Sequence, residues 1–125
     1  MVQTELSQLS AECQEWRQIL RNYREELQLS KKSLQEVCRK SLSKDQLQAV
    51  EHFDNQFHIQ LINVHDLKQQ IKLHERRIEF ESSGGDLSEE TYSQHETLLD
   101  QFLNQESTLQ ELRNDFRDFV SRSAC

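Results

Sequence analysis

The sequence predicts an all-α protein, a single domain over residues 1–125 that forms an elongated, antiparallel three-helix bundle. Three observations predict this class. The chain of 125 residues has no proline and only two glycines, Gly84 and Gly85, so that long helices can continue unbroken. Apolar residues recur at heptad spacing through the middle of the chain. Two segments, near residues 43 and 88, have the residue pattern of a helix N-terminus.

The first helix is predicted over about residues 4–40, with Thr4 as its N-cap. Its apolar residues alternate in steps of three and four, as expected for a coiled-coil seam. They are Leu6, Leu9, Cys13, Trp16, Leu20, Tyr23, Leu27, Leu34 and Val37. Ser30 is the only residue that interrupts this seam.

The second helix is predicted over about residues 43–81 and has the most regular apolar stripe. One heptad position is occupied by Val50, Phe57, Val64, Ile71 and Ile78. Ser43 is the predicted N-cap, and Gln46 completes a capping box with it. A stripe of this length predicts a helix packed along its whole length against neighbouring helices.

The third helix is predicted over about residues 88–122. Ser88 is its predicted N-cap, and either Gly84 or Gly85 can adopt the left-handed conformation that ends the preceding helix. Its two heptad positions contain mostly large apolar residues, with two polar exceptions, His95 and Gln105. The apolar residues are Leu98, Phe102, Leu109, Leu112, Phe116 and Phe119.

Short connections between long helices favour antiparallel neighbours, which predicts an up-down-up bundle about 50 Å long. The helix count, the heptads and Trp16 in the first helix resemble a spectrin repeat. The same outline is similar to a syntaxin-type regulatory bundle or another adaptor bundle. The resemblance implies a cytoskeletal or trafficking scaffold, and it assigns no binding residue.

Composition and charge argue against several classes of protein. No stretch approaches the roughly 18 apolar residues of a membrane span, and Met1–Glu5 has no signal-peptide pattern, so we expect a cytoplasmic protein, with the nucleus left open, and no membrane insertion. The net charge is −7, and residues 82–125 contain three Lys or Arg against nine Asp or Glu, which argues against nucleic acid as a partner. Without a phosphate-binding loop or a nucleophile elbow, we expect no enzyme activity, no catalytic residue and no cofactor.

Two histidines and a cysteine form the only cluster of potential metal ligands that the topology suggests. His74 and His95 are predicted in one layer of the bundle, with Cys13 one helical turn away. These residue types can bind zinc. Alternatively, they form a polar layer that fixes the helix register, like Gln60 and Gln105. Because no two ligands have close metal-type spacing, the polar layer is the favoured interpretation and no metal is predicted.

The three cysteines are Cys13, Cys38 and Cys125, and an odd number without a signal peptide predicts reduced thiols rather than a disulfide framework. Cys38 and Cys125 are expected at the same end of the bundle, where oxidation could link them. A metal- or redox-sensing bundle therefore remains an alternative function.

The candidate protein-binding residues on the second helix are Ile59, Ile62, Leu73 and Phe80, which lie off the heptad seam. A row of exposed apolar residues on one helix indicates an interface. The alternative is a wide, twisted stripe that belongs to the core.

Arg17, Arg21 and Arg24 give the first helix a basic side, which Lys31 and Lys32 continue. This side is a candidate for recruiting an acidic protein partner. The alternative is that it complements the acidic third helix of the same bundle.

From these patterns we expect a non-enzymatic protein–protein interaction module of a cytoskeletal, trafficking or other assembly scaffold. It would present helix faces to a partner protein or to a second copy in a homodimer. A further alternative is a segment of a longer dimeric coiled coil.

Overall fold

The computed structural model describes residues 2–37 and 42–123. It contains three α-helices, α1 (Val2–Val37), α2 (Lys44–Ser83) and α3 (Glu89–Ser123), packed as a bundle, which confirms the predicted class. The predicted end of α1 at residues 38–40 and the predicted proximity of Cys38 and Cys125 lie outside the described residues. Thr4 is wrong as an N-cap, because α1 already includes it; once a helix has nucleated, extending it by two residues without a breaker is easy.

Side-chain pairs establish the direction of each helix. Three side-chain pairs join α1 and α3: Glu12 with His95, Tyr23 with Glu106, and Glu26 with Arg113. The residue numbers increase together in the two helices, so α1 and α3 run parallel. Pairs between α2 and α3 run in opposite order along the chain: Gln60 with Gln105, and His74 with His95. The topology is therefore up-down-up, as predicted.

The apolar stripe of α2 forms the centre of the core. All five of its residues are buried: Val50, Phe57, Val64, Ile71 and Ile78. At the end of the bundle where α2 begins, Phe53 and Phe57 pack against Phe116 of α3, with ring centroids 5.4 and 4.9 Å apart respectively. No described helix contains a stretch that is long and apolar enough to cross a membrane.

The start of α2 is the capping box that the sequence predicts. The Gln46 amide N–H donates to Ser43 Oγ at 3.2 Å, and the Ser43 amide N–H donates to Gln46 Oε1 at 2.9 Å. Two N–H groups that the helix itself cannot pair are thereby satisfied, which fixes where α2 begins.

The turn between α2 and α3 depends on one carboxylate at the end of α2. Gly85 adopts a φ of 114°, which permits the chain to reverse. Glu81 then accepts hydrogen bonds from the Ser88 amide at 2.7 Å and from Thr91 Oγ1 at 2.6 Å. The Arg77 guanidinium also donates to it, at 2.8 Å. These donors hold the pKa of Glu81 at about 2, the Ser88 amide having the largest effect.

We predict that Glu81→Gln destabilises the bundle near neutral pH and that this difference from the wild type shrinks in acid. Because folding lowers the pKa of Glu81 from 4.5 to about 2, its ionised carboxylate contributes fully to the stability of the fold above pH 4.5. This stabilisation is lost as the pH falls towards 2. Thermal melts of both proteins between pH 6 and 2.5 measure the difference. Glu79→Gln changes an exposed carboxylate two residues away and is the matched control. If the difference in Tm between Glu81→Gln and the wild type stays constant over this pH range, the prediction is contradicted.

Candidate functional site

A buried polar layer contains one residue from each helix: Cys13 of α1, His74 of α2 and His95 of α3. All three side chains are buried, and their potential ligand atoms lie within 4.8 Å of one another. The sequence predicted the two histidines in one layer but placed Cys13 one turn away. The structure corrects this point: Cys13 Sγ lies 4.0 Å from His95 Nδ1, in the same layer.

Hydrogen bonds in this layer define which nitrogen carries each proton. His95 Nε2 lies 2.7 Å from a carboxylate oxygen of Glu12, which can only accept, so we assign a proton to Nε2. His95 Nδ1 is then an acceptor for the N–H of His74 Nε2, 3.0 Å away. His74 Nδ1 is buried without a hydrogen-bond partner.

The layer disfavours charge on two of its members. Burial lowers the pKa of His74 to about 4, and nearby His95 and Arg77 act in the same direction while Glu81 opposes them. Burial likewise raises the pKa of the Cys13 thiol to about 12, helped by the carboxylates of Glu75 and Glu12. Burial therefore disfavours the thiolate of Cys13, which is the nucleophilic form of a cysteine.

Two neighbours fix the position of the layer in the bundle. The Trp16 ring packs against the His95 ring, with centroids 4.8 Å apart, and also stacks on Phe102 at 5.9 Å. Glu75, which follows His74, is buried and its Oε2 lies 2.9 Å from Arg17 Nε of α1. The heptad pattern does not single out Glu75 or Glu12, because acidic residues beside a seam usually face water. The signal in the sequence that could identify them is opposite charge on facing helices.

A second polar pair lies about four helical turns along α2 from His74. Gln105 Nε2 of α3 donates to the buried Gln60 Oε1 of α2 at 2.7 Å. This hydrogen bond joins the two amides across the bundle, as expected for a polar layer that fixes register.

The apolar row on α2, defined as Ile59, Ile62, Leu73 and Phe80, lies outside the core. These side chains are 44%, 48%, 63% and 80% exposed, in that order. The interpretation that they widen the core stripe is therefore wrong: the stripe follows the heptad closely and leaves this face to solvent. His58 and His65 are also exposed beside the row.

The basic residues of α1 face α2 rather than the acidic α3. Arg17 pairs with Glu75 of α2, and Arg21 lines a groove between α1 and α2 together with Lys68. Burial and the positive charges of Arg24, Arg21, Arg17 and Lys72 lower the pKa of Lys68. The alternative that the α1 cations complement α3 is therefore wrong for Arg17 and Arg21. These two residues line a groove with Lys68 of α2, and Arg24 and Lys72 lie close enough to act on Lys68. The five residues Arg17, Arg21, Arg24, Lys68 and Lys72 are called the basic groove.

We predict that metal-free protein loses about 1 kcal/mol of unfolding free energy, or about 4 °C in Tm, between pH 7.5 and 5.5. The pKa of His74 is lowered from 6.5 to about 4, so the unfolded chain takes up a proton below pH 6.5 that the folded chain takes up only near pH 4. The charged or titratable groups around His74 are His95, Arg77, Glu81, Glu12 and Cys13.

The measurement is a series of denaturant titrations in EDTA. His74→Gln keeps a donor for His95 without a titrating ring, and it should flatten the pH dependence. His65→Gln replaces an exposed histidine and should leave the dependence unchanged. Equal pH dependence in the wild type and His74→Gln would show that His74 is not the group responsible.

Comparisons of this chain with protein-family models, with curated proteins and with solved structures found no match. The roles assigned to its residues therefore rest on geometry, burial and charge. Three features stand out on these grounds: the buried Cys13–His74–His95 layer, the apolar row on α2, and the basic groove between α1 and α2.

Proposed function

We propose that the bundle is a non-enzymatic protein-interaction module of an assembly scaffold in the cytoplasm, and that it binds an acidic, amphipathic helix of a partner protein along α2. The observation that carries this proposal is the exposure of the apolar row. Leu73 and Phe80 are 63% and 80% exposed although both are large apolar side chains. Single exposed apolar residues are ordinary, whereas several on one helix face favour an interface.

The spacing of the apolar row suits a helical partner. Ile59, Ile62, Leu73 and Phe80 lie within about 60° of one another around the axis of α2 at 100° per residue. From Ile59 to Phe80 the row extends about 32 Å. A partner helix of about 21 residues or more, with apolar residues at helical spacing, would cover all four side chains.

Charge specifies the chemistry of the partner. The basic groove borders the apolar row on the side of α2 that faces α1, with Lys72 between Lys68 and Leu73 around the helix. The protein as a whole has a net charge of −7, yet five cations lie near one another on this side, of which Arg17 is paired with Glu75. Acidic residues flanking the apolar face of the partner would meet these cations and accelerate binding.

We predict that the double variant Ile62→Glu/Leu73→Glu lowers the affinity for an acidic amphipathic helix at least about tenfold, because each substitution removes apolar contact and places a carboxylate in the interface. The probe is a labelled synthetic peptide of about 24 residues with leucines on one face and glutamates flanking them. Fluorescence anisotropy measures binding, and circular dichroism should show unchanged helicity, since both positions are exposed.

The matched control is Leu29→Glu/Leu103→Glu, which changes leucines of similar exposure on α1 and α3. It should bind the peptide like the wild type. A peptide with lysines in place of the glutamates tests the charge argument and should bind weakly. Equal binding of both peptides, or a Leu29/Leu103 variant as defective as the Ile62/Leu73 variant, would refute the proposed surface.

We further predict that Arg21→Glu/Arg24→Glu slows association with the acidic peptide and reduces its dependence on salt, because exposed charges mainly steer the encounter. Stopped-flow mixing between 50 and 300 mM salt measures this. Light scattering over a concentration series accompanies both tests. A dimer that Ile62→Glu/Leu73→Glu dissociates would identify a second copy as the occupant and overturn the acidic-helix proposal.

A further inference from the structure

We propose that Cys13, His74 and His95 form a binding site for one zinc-class divalent ion at the centre of the bundle, with one ligand from each helix. This inference is independent of the interaction surface on α2. The three side chains are buried, and their ligand atoms already lie within 4.8 Å of one another. Metal sites in helical bundles are commonly built in this way, from side chains that project inward on facing helices.

The distances between the ligand atoms are close to those that tetrahedral zinc requires. With Zn–N near 2.05 Å and Zn–S near 2.3 Å, two nitrogens are about 3.3 Å apart and a nitrogen and a sulfur about 3.6 Å. His74 Nε2 and His95 Nδ1 are 3.0 Å apart, and Cys13 Sγ is 4.0 Å from His95 Nδ1. These two pairs need to change by only a few tenths of an ångström. The third pair, Cys13 Sγ with His74, lies within 4.8 Å and must shorten by up to about 1.2 Å, which side-chain rotation has to supply.

Glu12 already holds His95 in the form that binds a metal. Its carboxylate accepts the Nε2–H of His95 at 2.7 Å, which leaves the Nδ1 lone pair directed at His74 and Cys13. A carboxylate behind a ligating histidine is the usual outer shell of a zinc site and raises the basicity of the ligand. Glu12 is therefore a positioning residue and not a fourth ligand, and a water completes the tetrahedron.

Two carboxylates and one guanidinium lie near Cys13. The carboxylates of Glu12 and Glu75 favour a cation in this place, and the guanidinium of Arg17, which pairs with Glu75, opposes one. Binding of the ion forms a Zn–S bond and two Zn–N bonds, while the Cys13 thiol loses its proton to solvent. The proton of His74 moves from Nε2 to Nδ1, and the net change is one proton released per ion.

A surface groove reaches one of the three ligands, His74. It has a volume of about 270 Å³ and lies between α2 and α3, lined by Gln70, Leu73, His74, Arg77 and Gln94. Cys13 and His95 lie behind His74, so an ion that enters this groove would meet His74 first. Rotation of the Gln70 or Gln94 amide in the same groove would provide an acceptor for the His74 Nδ1–H, the atom that has no partner in the metal-free layer.

The test uses the full chain with Cys38→Ser/Cys125→Ser, which removes the other two thiols. After treatment with a chelator and dialysis, it is titrated with Zn²⁺ in a calorimeter and with Co²⁺ in a spectrophotometer. We expect one ion per chain, a thiolate-to-cobalt charge-transfer band with the intense visible bands of tetrahedral Co²⁺, and proton release that scales with buffer ionisation. At a free Zn²⁺ concentration 100 times Kd, Tm should rise by at least about 5 °C, since the ion joins all three helices.

Three variants distinguish this site from chance binding. Cys13→Ala, which preserves a small apolar side chain in the core, should weaken Zn²⁺ binding at least about 100-fold and remove the charge-transfer band. Glu12→Gln should weaken it about tenfold or more while keeping that band, as expected for an outer-shell group. His58→Gln/His65→Gln changes two exposed histidines and should have no effect.

The proposal is overturned if the parent protein binds no Zn²⁺. It is also overturned if stoichiometric binding survives Cys13→Ala, or if binding is lost in His58→Gln/His65→Gln. Circular dichroism of each metal-free variant confirms its helicity. Should Cys13→Ala fail to fold, Cys13→Ser takes its place with the same expected loss of the charge-transfer band.

Discussion

A hydrogen bond between two buried histidines holds α2 and α3 in one register. His74 Nε2 donates to His95 Nδ1 at 3.0 Å, and both rings are buried. Sliding one helix by a heptad would separate the rings and leave both nitrogens unpaired, at a cost of about 1–3 kcal/mol for each buried group. The apolar stripe alone cannot impose this penalty, because a repeat of seven residues packs almost as well after a shift of seven.

Among the described residues, polar pairs with at least one buried member occur at three levels between α2 and α3. Gln60 pairs with Gln105 towards the middle of the bundle, His74 with His95 nearer the turn, and Glu81 with Thr91 at the turn itself. These pairs are spaced unevenly, so that only one alignment of the two helices satisfies all of them. Trp16 then fixes α1 against the same layer by packing on the His95 ring.

Much of the fold follows from the sequence because heptads and caps are local signals. The capping box at Ser43 and Gln46, the buried stripe of α2 and the layer of His74 and His95 were all predictable from spacing alone. The sequence placed Cys13 one helical turn too far from His95. Counting residues back from a turn treats the helices as straight and ignores any shift of one helix along its axis relative to its neighbour. The position of α1 relative to α3 depends on packing, here on Trp16, and not on the length of the connections.

The parts that spacing could not predict concern charge. One of the two interpretations of the basic side had Arg17 complement α3, yet Arg17 pairs with Glu75, which is buried. A helical wheel assigns Glu75 to the edge of the seam, and only the relative rotation of α1 and α2 determines whether that edge is open to water. The same rotation brings Arg21 beside Lys68, so that like charges meet in a groove although the chain is acidic overall.

The two proposed sites are adjacent, and this has a physical consequence. Leu73 belongs to the apolar row, and it also lines the groove that leads to His74. A helix that covers Leu73 therefore closes the entry to the Cys13–His74–His95 layer and slows exchange of an ion held there. Equilibrium coupling is a separate matter, because a partner changes the affinity for the ion only if it contacts the ion-bound and ion-free bundles differently. The side chain of Gln70 or Gln94, both of which line the groove, would rotate towards His74 Nδ1 only in the ion-bound bundle. The partner covers this part of the surface, so it would contact the two states of the bundle differently.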